Sequence, residues 1–496
     1  MKQYTQKMMS FGAAALLLFT LSGCQSNPGT SSVVSKNDGS FDANVVQSAT
    51  TPISGETEQE IRWNEQFTST DGSVNFTLNA ETTVPVSGLP VVEVKPHFFT
   101  GEEVQRTAYT IFGEDVSYYE ARPQLGEPTE IYSKQEIQTF LNRWSQYTSQ
   151  EALDAVLGKN SEYDTDTVKR FIEAYTEHYE NASDDISRTP CQWTFQPDSV
   201  YMYSGSDLET VDNSDRNLGI EAEFQYQDLP YRLNASTRDR DDFKISILSI
   251  QILSDSPAGF DLDLIKVPLL NTDAPEQETL DQVQEQVSEW LNNLGLGTWK
   301  VDSCETDHYT YRGESDSPEQ WTVTVHAVPV FEGVAAVGGI QIGNLRNPEV
   351  YASNYYMTEA TFTFNANGVL LSCEIYSPVD IVQVVNENAA TLSVDDLLKR
   401  AKEHLSLSDK YQYGFIVEEE KDQLQANVSI DRIDYGLTRV KVPNTDESYY
   451  YVPGIVFWGS SEIVHQDTDE VWDSRSESVI LVLNAIDGSV INVEQG

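Results

Sequence analysis

Few side chains in this 496-residue sequence have the types and spacing that chemistry requires. The histidines are His97, His178, His308, His326, His404 and His465. None forms the His-Glu-x-x-His pair, whose spacing sets two imidazoles on one helix face for zinc. His178 and His404 lie in stretches of helical period and read as surface or boundary residues. His326 has the opposite strand parity to Val323 and Val325, which sends it to the other face. His465 has acidic neighbours Asp467, Asp469, Glu470 and Asp473, the oxygen ligands a hard cation takes. They lack the central Gly and terminal Glu of an EF-hand loop, so they read as a solvated acidic loop. Besides Cys24, the cysteines are Cys191, Cys304 and Cys373, an odd set that makes no complete disulfide framework. A Cys191–Cys304 bridge is one alternative, and Cys373 shares parity with Leu371 and Ile375 as a buried small hydrophobe. No Gly-x-Ser-x-Gly elbow and no Gly-rich phosphate loop stands out. With 79 acidic residues, accidental carboxylate pairs are guaranteed. A glycosidase needs two facing across a cleft of about 5–9.5 Å, which sequence separation does not report. Tyr449, Tyr450 and Tyr451 fit either a sugar-stacking surface or a strand with alternating tyrosines. No catalytic, cofactor-binding or metal-binding residue is assigned, and no cofactor is expected.

Charge narrows the partners. Lys and Arg number 31 against those 79 acids, a formal −48. No positive surplus exists to displace counterions from nucleic acid, and no basic face to adsorb on anionic lipid. Hydrophobic residues at 39% and aromatics at 10% are enough for real cores, which excludes global disorder. The length allows roughly three domains.

One cysteine does carry a chemistry. Lys2 and Lys7 precede the apolar run Phe11–Thr20, which is too short to span a ~30 Å hydrocarbon layer. Leu21-Ser22-Gly23-Cys24 follows at once and resembles the bacterial lipobox. That resemblance implies thioether acylation of Cys24, with palmitate-type chains, after which residues 1–23 are removed as a signal peptide. The alternative is an ordinary secretion signal that happens to contain a Cys. Cleavage takes Lys2 and Lys7 but no acid, so the body becomes still more acidic. Two or more acyl chains anchor such a body stably without a membrane helix. Ser, Thr, Gly, Pro, Asn and Gln dominate residues 25–60, and Phe41 is the only aromatic there. Residues 24–60 thus read as lipidated Cys plus flexible tether, with a coil reach of roughly 30–35 Å. The expected address is the extracytoplasmic face of the cell membrane.

The elements behind this are legible by period. Val74, Phe76, Leu78 and Ala80 alternate with polar residues as a half-buried strand. Thr100-Gly101-Glu102-Glu103 is a capping box, followed by the stripe Val104, Ala108, Ile111, Phe112 and a stop at Gly113. Ser133-Lys134-Gln135-Glu136 opens a second helix, and Asp166 a third carrying Phe171, Ile172, Tyr175 and Tyr179. Ile220, Ala222, Phe224 and Tyr226, then Phe243, Ile245 and Ile247, return to period two. Residues 61–255 read as one α+β domain.

Residues 256–385 and 386–496 read as two copies of one plan. The first opens at Thr279 with the stripe Val283, Val287, Trp290, Leu291, Leu294, and ends in a hairpin turning at Asn367-Gly368. The second opens at Ser393 with Leu397, Leu398, Ala401, Leu405, and ends in a hairpin turning at Asp487-Gly488. Two unrelated α+β units sharing a common hairpin are the alternative. A capped helix feeding an antiparallel sheet that closes on Leu483-Asn484-Ala485-Ile486-Asp487-Gly488-Ser489-Val490-Ile491 resembles the PepSY-like modules of Gram-positive envelope proteins. The layout of lipobox, tether and the Val84-Pro85 to Phe98-Phe99 stretch resembles uncharacterised lipoproteins of gut Clostridia. The resemblance implies regulators or inhibitors of proteases or sensor kinases, and transfers no catalytic residue. The expected protein is an α+β, membrane-tethered, non-enzymatic binding or regulatory module, with an envelope protein as partner and no nucleic acid. A cell-surface hydrolase of glycan or peptide and a solute-binding lipoprotein of an importer are the alternatives.

Overall fold

The computed structural model describes residues 58–491 except 86–87, 122–132, 153–164, 185, 198–199, 205–206, 212–216, 228, 241–242, 253–272, 311–318, 339–357, 415, 417–420, 442–447 and 469. The leader, Cys24 and nearly all of the tether lie outside the described residues, as does Asp469 of the acidic loop.

Strands β1 (Glu58–Thr68), β2 (Val74–Pro85) and β3 (Leu89–Pro96) precede helix α1 (Gly101–Phe112) and the short β4 (Tyr119–Glu120). Helices α2 (Lys134–Trp144) and α3 (Thr165–Asn181) lead to β5 (Gln196–Pro197), β6 (Val200–Ser204) and β7 (Asp207–Val211). A meander follows: β8 (Asn217–Tyr226), β9 (Leu229–Arg240) and β10 (Phe243–Ile252). Helix α4 (Gln277–Leu294) feeds β11 (Trp299–Thr310), β12 (Glu319–Phe331), β13 (Val334–Ala335), β14 (Glu359–Asn365) and β15 (Leu370–Tyr376). Strand β16 (Val379–Ala389), helix α5 (Val394–Leu405), β17 (Leu424–Lys441), β18 (Tyr449–His465) and β19 (Val471–Asn484) complete the chain. The class is α+β, as expected. Among the described residues no helix is long and apolar enough to cross a membrane.

Local signals set the helix ends. Thr100 Oγ1 accepts from the Glu103 N–H, and the Glu103 carboxylate accepts from the Thr100 N–H at 2.8 Å, closing the capping box of α1. Ser393 caps α5 through the Asp396 N–H. Helix α4 departs from expectation: it starts at Gln277, two residues before Thr279, with Glu276 at its N-cap and no side-chain cap bond. Thr279 sits inside the first turn instead, packed over Gly368 of the facing hairpin turn.

The ten-stranded sheet has the order β11-β12-β14-β15-β10-β9-β8-β4, with β13 on β12 and β5 on β8. Helices α1 and α4 both pack on one face of it. Val104, Ala108 and Ile111 of α1 and Val283, Val287 and Leu291 of α4 share one core with Phe224, Leu233, Leu248, Val325, Phe362 and Cys373. Each such side chain contributes about 1.5–3 kcal/mol on burial, which no short helix could recover alone in water.

This sheet holds two runs of similar strand order. The β8–β9–β10 and β11–β12–β14–β15 runs are sequential meanders, each preceded by a helix, and their last strands, β10 and β15, pair antiparallel at the centre. The helices meet where the Arg106 guanidinium donates to the Leu294 carbonyl at 3.4 Å. Among the described residues a helix followed by an antiparallel run occurs three times: α1 with β4-β8-β9-β10, α4 with β11-β12-β14-β15, and α5 with β17-β18-β19 and Val490. Helices α2 and α3 lie in the chain between β4 and β8 of the first unit.

The last two units share turn detail. Asn365 accepts from the Gly368 N–H, and Asn484 from the Gly488 N–H, through their carbonyls. Each side-chain amide oxygen caps the turn, Asn365 to Asn367 and Val369 and Asn484 to Ile486. The left-handed residue is Gly368 at φ +78° and Gly488 at φ +75°. Asn367 keeps a negative φ, so this is not the two-residue turn that Asn-Gly suggests.

The seven-stranded sheet has the order β1-β2-β17-β18-β3-β16, with β19 also on β18. Its β2–β17 pair is parallel, Val74 to Leu78 against Ala426 to Ile430. Leu397, Ala401 and Leu405 of α5 cover Phe76, Leu78, Ile430, Phe457 and Leu483. Val91, Val452, Val456, Trp458 and Val482 form a separate core. The division expected at 61–255, 256–385 and 386–496 does not follow these sheets. β2 and β3 hydrogen-bond with strands of residues 379–465 and β1 joins them through β2, while the β8–β10 meander joins β15 through β10. Alternation marks a strand's buried face but not its partner, so period alone assigned β1–β3 to their sequence neighbours. The chain passes between the sheets at residues 96–101 and 376–379, which lie side by side: the His97 N–H donates to the Pro378 carbonyl at 2.9 Å.

Candidate functional site

With α1 and α4 on one face of the ten-stranded sheet, alternation fills its other face with polar side chains. Register aligns them in rows. One row runs Tyr119, Glu223, Arg232, Gln251, Ser372, Thr363, Thr324, Glu305. The next runs Glu221, Asn234, Ser249, Glu374, Thr361, His326, Ser303. At a strand spacing of about 4.8 Å this is a polar strip of roughly 30 Å. Apart from Glu374, its middle is short hydroxyls and amides; its ends carry the other charges.

At the β4–β8 end, Glu223 is 3% exposed. It accepts from Arg188 at 3.0 Å and from Arg232 at 2.8 Å. The Arg188 guanidinium also lies over the Tyr119 ring, 4.6 Å from its centroid. A buried carboxylate between two guanidiniums is neutralised in place and fixes both cations. An open groove of about 760 Å³ begins here, lined by residues 115–117, 119, 133, 186–188 and 225–227.

At the β11–β12 end the sheet meets β17. His326 Nδ1 lies 2.8 Å from Glu359 Oε1, and that hydrogen bond raises the imidazole pKa above its ordinary value. Asp302, at the bulge of β11, has its carboxyl raised first by burial and then by the charge of Asp434. Asp434 is raised by burial, against the attraction of Arg432 at 3.3 Å. The Arg432 guanidinium sits 4.4 Å from the Trp458 ring centroid. This seam gathers three carboxyls, a histidine and an arginine from both sheets. Burial makes Asp302 and Asp434 harder to ionise than ordinary carboxyls, but the seam lacks the nucleophile–base–orienter chain of covalent catalysis. Among the described residues no group of three His, Cys, Asp or Glu has metal-binding geometry.

His97 occupies the crossing between the sheets. Its Nδ1 is 2.8 Å from Asp380 Oδ1 and its Nε2 3.0 Å from Glu103 Oε2. This clamp joins β16, the β3–α1 crossing and the α1 cap. Glu103 was legible as a cap, but nothing in the sequence announces Asp380, 283 residues away from His97.

The other sequence candidates scatter. His178 packs its ring edge-on to Tyr175, and His308 lies against Trp321. His404 is half-buried near the Gly488 backbone, and burial lowers its pKa. His465 stands edge-on to Trp472, with its N–H donating to the Glu470 carbonyl at the turn where the acidic loop lies. Cys191, Cys304 and Cys373 are free thiols, so the Cys191–Cys304 bridge does not form. Cys373 is fully buried, as its parity requires. Tyr449 and Tyr451 are buried, Tyr451 against Phe331 at 4.4 Å, which removes them from any sugar-stacking surface. Sequence reasoning missed Tyr119, Arg188 and Glu223, which come from three segments with no shared motif.

No family model matches the chain, and no curated protein matches it. A solved structure of an uncharacterized protein from Eubacterium rectale ATCC 33656 aligns over 85% of this chain and 91% of its own, at 10% identity and a TM-score of 0.37.

Proposed function

We propose that the protein is a lipid-tethered, non-enzymatic binding or regulatory module on the extracytoplasmic face of the cell membrane. The supporting observation is the ten-stranded sheet, whose helices gather on one face and leave a polar strip on the other. A flat array of short polar groups suits recognition of an extended partner more than containment of a small reacting molecule. The lipobox-like Leu21–Cys24 and the polar tether supply the anchor. The thrice-repeated plan of helix and meander supports tandem PepSY-like modules, and with them a regulatory role toward an envelope protein. Kinship with lipoproteins of gut Clostridia belongs to the same reading.

Replacing Cys24 by Ala tests the anchor: the variant should move from the membrane to the soluble fraction and lose its acyl label. Retention of both would refute it. The seam of Asp302 and Asp434 favours one second reading, a hydrolase, because two carboxyls with raised pKa at one place can share acid and base roles. Robust turnover in a screen of glycan and peptide substrates, abolished by Asp302→Asn, would establish that reading instead.

A further inference from the structure

We infer that the groove beside β4 is a binding site for a neutral, hydroxyl-rich ligand, a short glycan segment. This deepens the binding-module reading above and rests on it. Three segments and Ser133 build the site, and hydrogen bonds fix the three segments to one another. The β4 side is zipped to residues 189–191 through Glu120 N–H to the Thr189 carbonyl at 2.8 Å and Cys191 N–H to the Tyr118 carbonyl at 3.0 Å. Tyr119 pairs with Glu223 of β8, which carries Gln225 and Tyr226. The groove therefore has its shape before a ligand arrives, which reduces the ordering cost of binding.

Its chemistry selects the ligand class. Arg188 is the cation in the lining, and it is already held by Glu223, which it shares with Arg232, and by the Tyr119 ring. An anion would have to compete with Glu223 for that guanidinium. A metal ion would find a single carboxylate, Asp115. The remaining polar groups are neutral: the hydroxyls of Ser117, Ser133 and Ser187 and the amides of Gln225 and Gln227. Among the described residues the side chains of Ser117, Ser187, Gln225 and Gln227 make no hydrogen bond to the protein, while Ser133 is already engaged. Hydroxyls and primary amides donate and accept at once, which matches the alternating donor and acceptor sense of sugar hydroxyls. Tyr119 and Tyr226 add aromatic surface. Arg188 covers one face of Tyr119, leaving ring area for the C–H face of a pyranose. The glycan could be plain or N-acetylated; the hydroxyl pattern is common to both.

The test is calorimetric titration of the full chain, purified in detergent, with tetramers of β-1,4-linked glucose and of N-acetylglucosamine. Saturable binding of either should appear at one site, with Kd in the range of about 10 μM to 1 mM. The tetramer that binds identifies the source, plain polysaccharide or acetamido-bearing wall glycan. Tyr119→Ala and Gln225→Ala should each weaken binding about tenfold or more. Gln225 is exposed, so its variant should melt with the wild type and separates lost contact from lost fold. No saturable binding by either tetramer up to about 10 mM, or binding that both variants leave unchanged, would overturn the inference. Loss of membrane anchoring cannot mimic that result, because the titration needs no membrane.

Discussion

Replacing Glu223 by Ala should be among the most damaging single changes in the ten-stranded sheet. The carboxylate is 3% exposed and accepts from two guanidiniums, whose side chains are only 17% and 14% exposed. Deleting it leaves both cations beside one another, largely out of water and without a counter-charge. Removing one partner of a buried ion pair costs about 3–5 kcal/mol, because the survivor keeps its desolvation penalty. Partial exposure of the arginines holds the estimate inside that range. Glu223→Gln keeps a carbonyl acceptor but not the charge, and should cost about half as much. In thermal unfolding the Ala variant should shift the transition of this sheet down by roughly 5–15 °C. Hydrogen exchange should localise the loss to β8, β9 and the β4 crossing. Ala and Gln variants both within about 0.5 kcal/mol of wild type would show that water, not Glu223, solvates the arginines. The account of a cation held in the groove by Glu223 would fall with it.

Further outcomes follow from single contacts. The His326–Glu359 bond raises the folded-state pKa of His326 above its unfolded value, so its stabilisation is full below about pH 6.5 and is lost as pH rises through the folded pKa. NMR titration should show the His326 pKa falling in Glu359→Gln. Gly488→Ala should cost about 1–3 kcal/mol, since φ is +75° and a Cβ would stand 3.0 Å from Arg400 Cγ and 3.1 Å from Leu392 Cδ1. Gly72→Ala, at φ +77° with nothing within 4 Å, should cost only the backbone part of that. Truncation after Asp487 removes the Ile491 N–H to Val482 carbonyl bond and the Leu483–Val490 bridge, and should raise hydrogen exchange in β19 and α5.

Elements governed by near neighbours were legible in the sequence. The Thr100–Glu103 box, the Ser393 cap and the hairpin glycines rest on bonds that span a few residues. The parity of His326 and of Cys373 was correct because alternation is a local rule. What the sequence hid is long-range. The parallel pairing of Val74–Leu78 with Ala426–Ile430 leaves no pattern in either segment. The strand with alternating tyrosines is the reading of Tyr449–Tyr451 that holds, but β18 alone gives no sign that Phe331 and Val94 cover Tyr449 and Tyr451. Tyr119, Arg188 and Glu223 each look ordinary in sequence; only the β4–β8 pairing and the loop after α3 bring them together. The run that α1 opens was missed because α2 and α3 interrupt it after a two-residue strand.

The parallel pairing of β2 with β17 imposes a delay on biosynthesis. Asn75 and its partner Asn427 are 352 residues apart. At about 5–20 residues per second, β2 is made roughly 20–70 s before the strand it must bond. Throughout that interval the β1–β2 hairpin presents an unpaired edge with Val74, Phe76 and Leu78 uncovered. Chains made in close succession would thus face a choice between their own β17 and each other's β2, and the heavy negative charge that keeps neighbours apart is a safeguard during those seconds.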